Sequence, residues 1–170
     1  MKSKTCFIFI IMVLTSSIVF CQVSDEKALL VGARHPAISP DGEQVAFSYM
    51  GDIWLVSSSG GRAFRLTDHI AYDHSPVWSP DGKWLAFSSD RMGSEDVYLV
   101  PAKGGVPRQI TYHTGNDTAT DFSPDGKSII FNSSRHSSSG IYSISIEGGN
   151  PLPLMDSGWS WGYFGKVSPD

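Results

Sequence analysis

Cysteine is almost missing from this chain. Its 170 residues hold two, Cys6 and Cys21, and both fall in an apolar leader. No disulfide framework or thiolate metal centre is therefore available to the rest, which must hold together by core packing. Basic runs are missing too. Two of the 13 Lys and Arg, Lys2 and Lys4, lie in the leader, and none of the 17 Asp and Glu does, so the remainder carries a formal charge of −6. Without a basic stripe interleaved with aromatics, nucleic acid is excluded as an expected partner. Helical periodicity is absent beyond the leader: no useful window repeats apolar residues at three-and-four spacing. A glycine-rich phosphate loop, zinc-ligand spacing, an Asp-x-Asp-x-Asp calcium loop and a paired-carboxylate site are all lacking. No cofactor and no metal are expected, and no catalytic residue is assigned.

Residues 1–21 read as a secretory signal peptide. Lys2 and Lys4 form the positive start, Cys6 to Phe20 the apolar stretch, and Val19 and Cys21 the small positions before cleavage at Gln22. The stretch is short of the roughly 20 apolar residues of a spanning helix, so stable membrane insertion is not expected. Acylation at Cys21 is the alternative, disfavoured by the bulky Phe20 before it. Export without disulfides points to a periplasmic location. Residues 22–34 form a lead-in, of which Ala28 to Val31 could pair as a strand with the last unit of a complete ring.

What the chain does have is a repeat. Ser39-Pro40-Asp41-Gly42, Ser79-Pro80-Asp81-Gly82 and Ser123-Pro124-Asp125-Gly126 are three copies of one tetrad, and Ser168-Pro169-Asp170 begins a fourth. The surroundings repeat as well. Val45-Ala46-Phe47-Ser48 corresponds to Leu85-Ala86-Phe87-Ser88 and Ile129-Ile130-Phe131-Asn132, and Ile53–Val56 to Val97–Val100 and Ile141–Ile144. A double glycine follows each time, at Gly60, Gly104 and Gly148. A period of this length, built from short apolar runs, predicts an all-β fold: a β-propeller with one four-stranded sheet, or blade, per repeat. About three blades of an incomplete ring are expected, roughly at 35–74, 75–118 and 119–158, with the start of a fourth reaching 170.

The tetrad is a turn with a mechanism. Proline presets φ, serine and aspartate bond the local backbone, and glycine takes the left-handed conformation that closes the hairpin. The twelve tetrad residues are therefore read as structural. The strands call for burial on both faces: in Leu85-Ala86-Phe87 the large residues point one way and alanine the other. One blade cannot shield its own faces, and three in a row leave two open sides. Further blades are thus expected in a longer parent protein.

A few polar residues stand out between repeats. His69, Asp73, His74 and His113 fall near the junctions, where loops of propellers bind ligands, and are candidate loop contacts. Asp90-Arg91 and Ser134-Arg135 follow the second strand of their repeats and read as ion pairs or turn bonds. Trp54, Trp78 and Trp84 read as packing. Gly158-Trp159-Ser160-Trp161-Gly162 matches the G-x-S-x-G nucleophile elbow, yet only eight residues follow it and none is histidine, so the acid and base of that mechanism are lacking.

The three tetrads, Leu85-Ala86-Phe87-Ser88-Ser89-Asp90-Arg91, and the endings Gly60–Thr67 and Gly104–Thr111 together resemble the Pro-Asp propeller blades of TolB, of tricorn-like proteases and of prolyl-oligopeptidase relatives. The resemblance spans about His35 to Met155. The run His35–Ser48 with Gly51-Asp52-Ile53-Trp54, and Ala71–Gly82, are most similar to the opening of exported tricorn-like proteases. That resemblance implies a non-catalytic propeller that gates or docks peptide substrates, while a distant C-terminal domain cuts them with a serine. The implied partners are peptides or another protein at the propeller loops, together with the remaining blades and C-terminal domains of the parent chain. Two alternatives follow from the blades alone: a TolB-like protein-binding scaffold, and the propeller cap of a prolyl-oligopeptidase-like hydrolase.

Overall fold

A computed structural model of the chain describes residues 31–135 and 139–156. The leader, most of the lead-in with the start of its closing strand, the Gly158–Gly162 match and the fourth tetrad lie outside the described residues.

Every described element is a strand. The first sheet runs β1 (Arg34–Ile38), β2 (Gln44–Tyr49), β3 (Asp52–Ser57) and β4 (Phe64–Arg65). The second runs β5 (Asp73–Trp78), β6 (Trp84–Ser89), β7 (Asp96–Pro101) and β8 (Arg108–Gln109), and the third β9 (Asp117–Phe122), β10 (Ser128–Ser133), β11 (Gly140–Ser145) and β12 (Leu152–Asp156). In each sheet neighbours in sequence are neighbours in space, all antiparallel. The first strands converge: β1 packs beside β5, and β5 beside β9. The fold is thus three blades of an open propeller around a common axis.

The second and third sheets begin two residues ahead of the starts placed at 75 and 119. Asp73 and Asp117 are already ladder residues, paired with Ser89 and Ser133. The last strand of the second sheet is short, Arg108–Gln109. Thr111 leaves the ladder, and its Oγ1 accepts the Val97 N–H at 2.9 Å in place of a main-chain partner.

Alternation along the strands gives each sheet two packed faces. Leu85, Phe87, Tyr98 and Val100 meet Ala46, Ile53 and Leu55 of the first sheet. From the other face Ala86, Val97, Leu99 and Ile110 meet Phe122, Ile129, Phe131, Tyr142 and Ile144 of the third. The two faces of β6 therefore serve different neighbours, as the period of two requires.

The tetrads close the β1–β2, β5–β6 and β9–β10 hairpins. Ser39 Oγ donates to Asp41 Oδ1 at 2.6 Å and accepts the Gln44 N–H at 2.9 Å, while Asp41 Oδ1 accepts the Glu43 N–H at 3.0 Å. The same three bonds recur at Ser79 and Ser123. Hydrogen bonds to the carboxylates, led by the serine hydroxyls, hold Asp41 and Asp125 below the usual range and bring Asp81 to about 2. Gly42, Gly82 and Gly126 adopt φ of 76°, 68° and 69°. Successive turns also stack: the Cβ direction of Gly82 meets Pro40 Cδ at 3.8 Å, and that of Gly126 meets Pro80 Cδ at 3.5 Å.

Candidate functional site

The innermost strands β1, β5 and β9 line one side of an open axial channel, and its two ends differ. The tetrads and double-glycine turns occupy one end. The other, here the loop face, carries the β2–β3, β6–β7 and β10–β11 hairpins and the connections between sheets. The mouth of the channel on this face is built from the starts of the innermost strands.

Those strands are irregular where they line the axis. The β1–β2 register shifts between Arg34 and Ala37, and the β5–β6 register between His74 and Val77. His35 and Ser75 sit at these bulges with φ of 50° and 52°, each followed by a proline that needs no ladder partner. Together the bulges open a cleft of about 650 Å³, lined in part by His35, Pro36, Ser75, Pro76, Thr120 and Asp121.

At the mouth, one polar cluster joins all three sheets. His74 Nε2 lies 3.0 Å from Glu95 Oε1, and Glu95 Oε2 accepts the Thr118 hydroxyl at 3.1 Å. His74 Nδ1 lies 3.0 Å from Ser75 Oγ, and His35 Nδ1 lies 3.3 Å from Ser48 Oγ. The His74 ring stands 5.7 Å from that of His35 and 5.1 Å from that of Tyr72. The His74 hydrogen bond holds the Glu95 carboxyl below its ordinary 4.5. Burial, reinforced by His74 and Arg34, holds His35 below 6.5. A smaller pocket of about 270 Å³ adjoins the cluster between Arg34, Tyr49, Met50 and Tyr72.

Of the four residues read as loop contacts, two lie in strands. Asp73 and His74 open β5 because the ladder extends past the bulge. Asp73 is fully buried: it accepts Ser89 Oγ–H at 2.6 Å and the Arg91 guanidinium at 2.6 Å, and Arg91 lies over the Phe87 and Tyr98 rings. Asp117, Ser133 and Arg135 repeat this arrangement over Phe131 and Tyr142. The first sheet has Ala33, Tyr49 and Gly51 at these places, and there Trp54 Nε1–H donates to the Tyr49 carbonyl instead. Arg91 thus pairs with Asp73, while neighbouring Asp90 accepts the Tyr72 N–H.

His69 and His113 do lie in the connecting loops. Each uses Nδ1 to accept a main-chain N–H two residues on, from Ala71 at 3.0 Å and Gly115 at 2.8 Å. Their own N–H groups donate to Asp52 and Asp96. Those carboxylates also accept from Thr67 and Thr111, so each loop is tied to the start of the preceding third strand. Burial pushes the Asp96 carboxyl up, against its hydrogen bonds.

Sequence reasoning missed Glu95, His35 and Thr118. Glu95 reaches Thr118 and His35 meets His74 across sheets, and no local pattern marks them. A signal did exist for the buried clamps: an aspartate six residues before the second and third tetrads, and an arginine eighteen residues after it.

The loop face also exposes large apolar side chains, Met50, Ile70, Tyr72, Met92 and Tyr112. Among the described residues no group of three or more His, Cys, Asp and Glu is placed to hold a metal ion, and no helix is long and apolar enough to cross a membrane. Chemically, the face can bind apolar groups and exchange hydrogen bonds at the mouth.

Residues 31–170 match the family model described as the tricorn protease N-terminal beta propeller domain. The chain is 37% identical over 80 residues to an uncharacterized peptidase, YuxL, of Bacillus subtilis (41% of this chain, 12% of that protein). It is 43% identical over 58 residues to tricorn protease homolog 1 of Streptomyces coelicolor (34% of this chain, 5% of that protein). It therefore spans a small part of the length of either relative. A solved TolB from Acinetobacter baumannii superposes with a TM-score of 0.65 at 27% identity, over 74% of this chain and 33% of that one.

Proposed function

The chain belongs to the tricorn protease N-terminal β-propeller family, and from that premise we propose that it is a non-catalytic module receiving peptide segments on its loop face. The observation that carries this reading is that exposed Met50, Ile70, Tyr72, Met92 and Tyr112 all fall in the hairpins and connections of the loop face. Exposed apolar side chains concentrated on one face favour a binding role, and blades with fixed cores present loops rigidly. The blades of this module are the sheets at 34–65, 73–109 and 117–156, behind a leader at 1–21 that exports it to the periplasm. In the parent protein the segment precedes further blades and a serine peptidase domain.

Binding is tested by fluorescence anisotropy with a labelled, extended apolar peptide. Met92→Asp and Tyr112→Asp should each weaken binding about tenfold, the loss expected for about 1.4 kcal/mol, and Val106→Asp at the opposite end should not. Equal effects at both ends, or no binding to the unaltered protein, refute the docking face. Peptide hydrolysis by the purified chain that Ser160→Ala abolishes refutes the non-catalytic reading. Sequencing past codon 170 and finding no peptidase domain removes the protease assignment. The TolB likeness supports a second reading, a scaffold holding one protein, which a pull-down returning a single stable partner would favour.

A further inference from the structure

Sulfur beyond the leader is confined to three thioethers. No cysteine follows Cys21, and Met1 and Met12 lie in the leader, which leaves Met50, Met92 and Met155. Met155 stands in the β12 ladder, paired with Ile141. Met50 and Met92 are 83% and 72% exposed, at the tips of the β2–β3 and β6–β7 hairpins. A flexible apolar thioether ordinarily fills a gap in a core. Here two of them are held in water on one face.

Neither tip is loose. Tyr49 pairs with Asp52, so Met50 and Gly51 are the two central residues of their turn. Their φ values of 52° and 86° are those of a type I′ hairpin, whose first central residue is usually Asn, Asp or Gly. Met50 therefore occupies a conformation that side chains of its kind disfavour. The Gly51 carbonyl accepts the Asp73 N–H at 2.8 Å, which ties this tip to β5. In the second hairpin the Gly93 N–H donates to the Asp90 carbonyl at 3.0 Å, and the Ser94 hydroxyl donates to the His113 carbonyl at 2.7 Å. Each tip is thus anchored to the strand or connection that follows it, and its thioether stands clear. Hairpin tips lie at the end of a sheet, away from the faces that pack on further blades. The sheet that carries Met92 has a described neighbour on each side.

We propose that Met50 and Met92 form a paired oxidation site that controls peptide capture on the loop face, an inference that rests on the docking reading. The co-reactant is a small peroxide. A sulfur lone pair attacks one peroxide oxygen, the S–O bond forms as the O–O bond breaks, and the second oxygen leaves as water with the proton of the first. The thioether is oxidised to the sulfoxide and the peroxide is reduced. Beyond the leader no thiolate competes for the oxidant. The product is polar and chiral where the side chain was apolar, so two of the five apolar contacts of the face are lost together. A thiol-dependent sulfoxide reductase reverses the change: two thiols become a disulfide and the oxygen leaves as water.

The purified chain, treated with hydrogen peroxide and mapped by mass spectrometry, should carry one added oxygen at Met50 and one at Met92. With its circular dichroism spectrum unchanged, it should bind a labelled extended apolar peptide about tenfold more weakly; the peptide itself is free of Met, Cys and Trp. Methionine sulfoxide reductase should restore binding. The double variant Met50→Leu with Met92→Leu keeps shape and polarity, and its binding should survive the same peroxide treatment. Intact thioethers at both positions, undiminished binding by the oxidised chain, or an equal loss by the double variant overturns the proposal. An untreated chain that binds no peptide refutes the docking reading and, with it, the control of capture, whereas binding that resists oxidation refutes this inference alone.

Discussion

Removing Arg91 should be among the costliest single changes available in the second sheet. Asp73 beneath it is 0% exposed, and the Arg91 side chain is 13% exposed. The pair is bonded through Nη2 to Oδ2 at 2.6 Å and Nε to Oδ1 at 3.3 Å. Arg91→Ala leaves a buried carboxylate whose strongest donor is gone. Breaking a buried pair from one side costs about 3–5 kcal/mol, most of it the stranded charge. The guanidinium lies 5.1 Å from the Tyr98 ring centroid, which adds about 1 kcal/mol. Against a total stability of roughly 5–15 kcal/mol this is a large fraction. With a urea slope of about 1–3 kcal/mol/M, the unfolding midpoint should fall by about 2 M. Arg65→Ala is the control: Arg65 bonds Asp52 similarly, but its side chain is 41% exposed, so the loss should be nearer 1 kcal/mol. The decisive variant is Asp73→Asn with Arg91→Met. It removes the stranded charge and should be more stable than Arg91→Ala alone. If Arg91→Ala costs under about 1 kcal/mol, or the double variant costs the sum of its singles, the buried-charge reasoning is wrong.

Three further outcomes follow from other contacts. Thr111→Val strips the Val97 N–H of its acceptor and Asp96 of a donor; it should cost about 1–3 kcal/mol and speed exchange of the Val97 amide, while Thr111→Ser should not. Gly115→Ala would place a Cβ 2.8 Å from the Ser134 carbonyl oxygen, so it should destabilise by more than Gly42→Ala, where only the φ of 76° opposes the substitution, at roughly 1–2 kcal/mol; urea titrations of the two rank them, and the reverse order refutes the packing. Acid should loosen the channel mouth. Both the Glu95 and His35 values are lowered on folding, so each group contributes stability present above its unfolded value and lost as pH falls through its folded one; His35 begins to count below about 6.5 and Glu95 below about 4.5. Asp96, raised by burial, has the opposite sign: its contribution is present below the unfolded carboxylate value and lost as pH rises through the folded one. Urea midpoints taken from pH 7 to pH 4 should therefore fall, and Glu95→Gln should flatten the lower part of that fall.

The architecture was legible because its causes are local. A Ser-Pro-Asp-Gly turn is settled within six residues by its own hydrogen bonds, and the alternation in Leu85-Ala86-Phe87 assigns each side chain to a neighbour before that neighbour is known. What escaped the sequence is long-range. The chain offers Arg91 a nearer acid in Asp90, but the register of β5 against β6 sets Asp73 beside Ser89, and only the ladder places that carboxylate under the guanidinium. The same cause moved Asp73 and His74 from an expected loop into a strand. At the mouth the separation is wider still. His74, Glu95 and Thr118 belong to one hydrogen-bonded set, yet they stand 21 and 23 residues apart on two blades, and of the three only His74 stands out in the sequence. The first sheet sharpens the contrast. Lacking the Asp–Ser–Arg clamp, it fills the place with Tyr49 and Trp54, whose rings meet edge to face at 6.0 Å, so repeat position alone does not fix the chemistry there. On the docking reading, function resides in the connections that differ between blades. A repeat reveals itself by what its copies share, and for that reason it discloses the scaffold far sooner than the site.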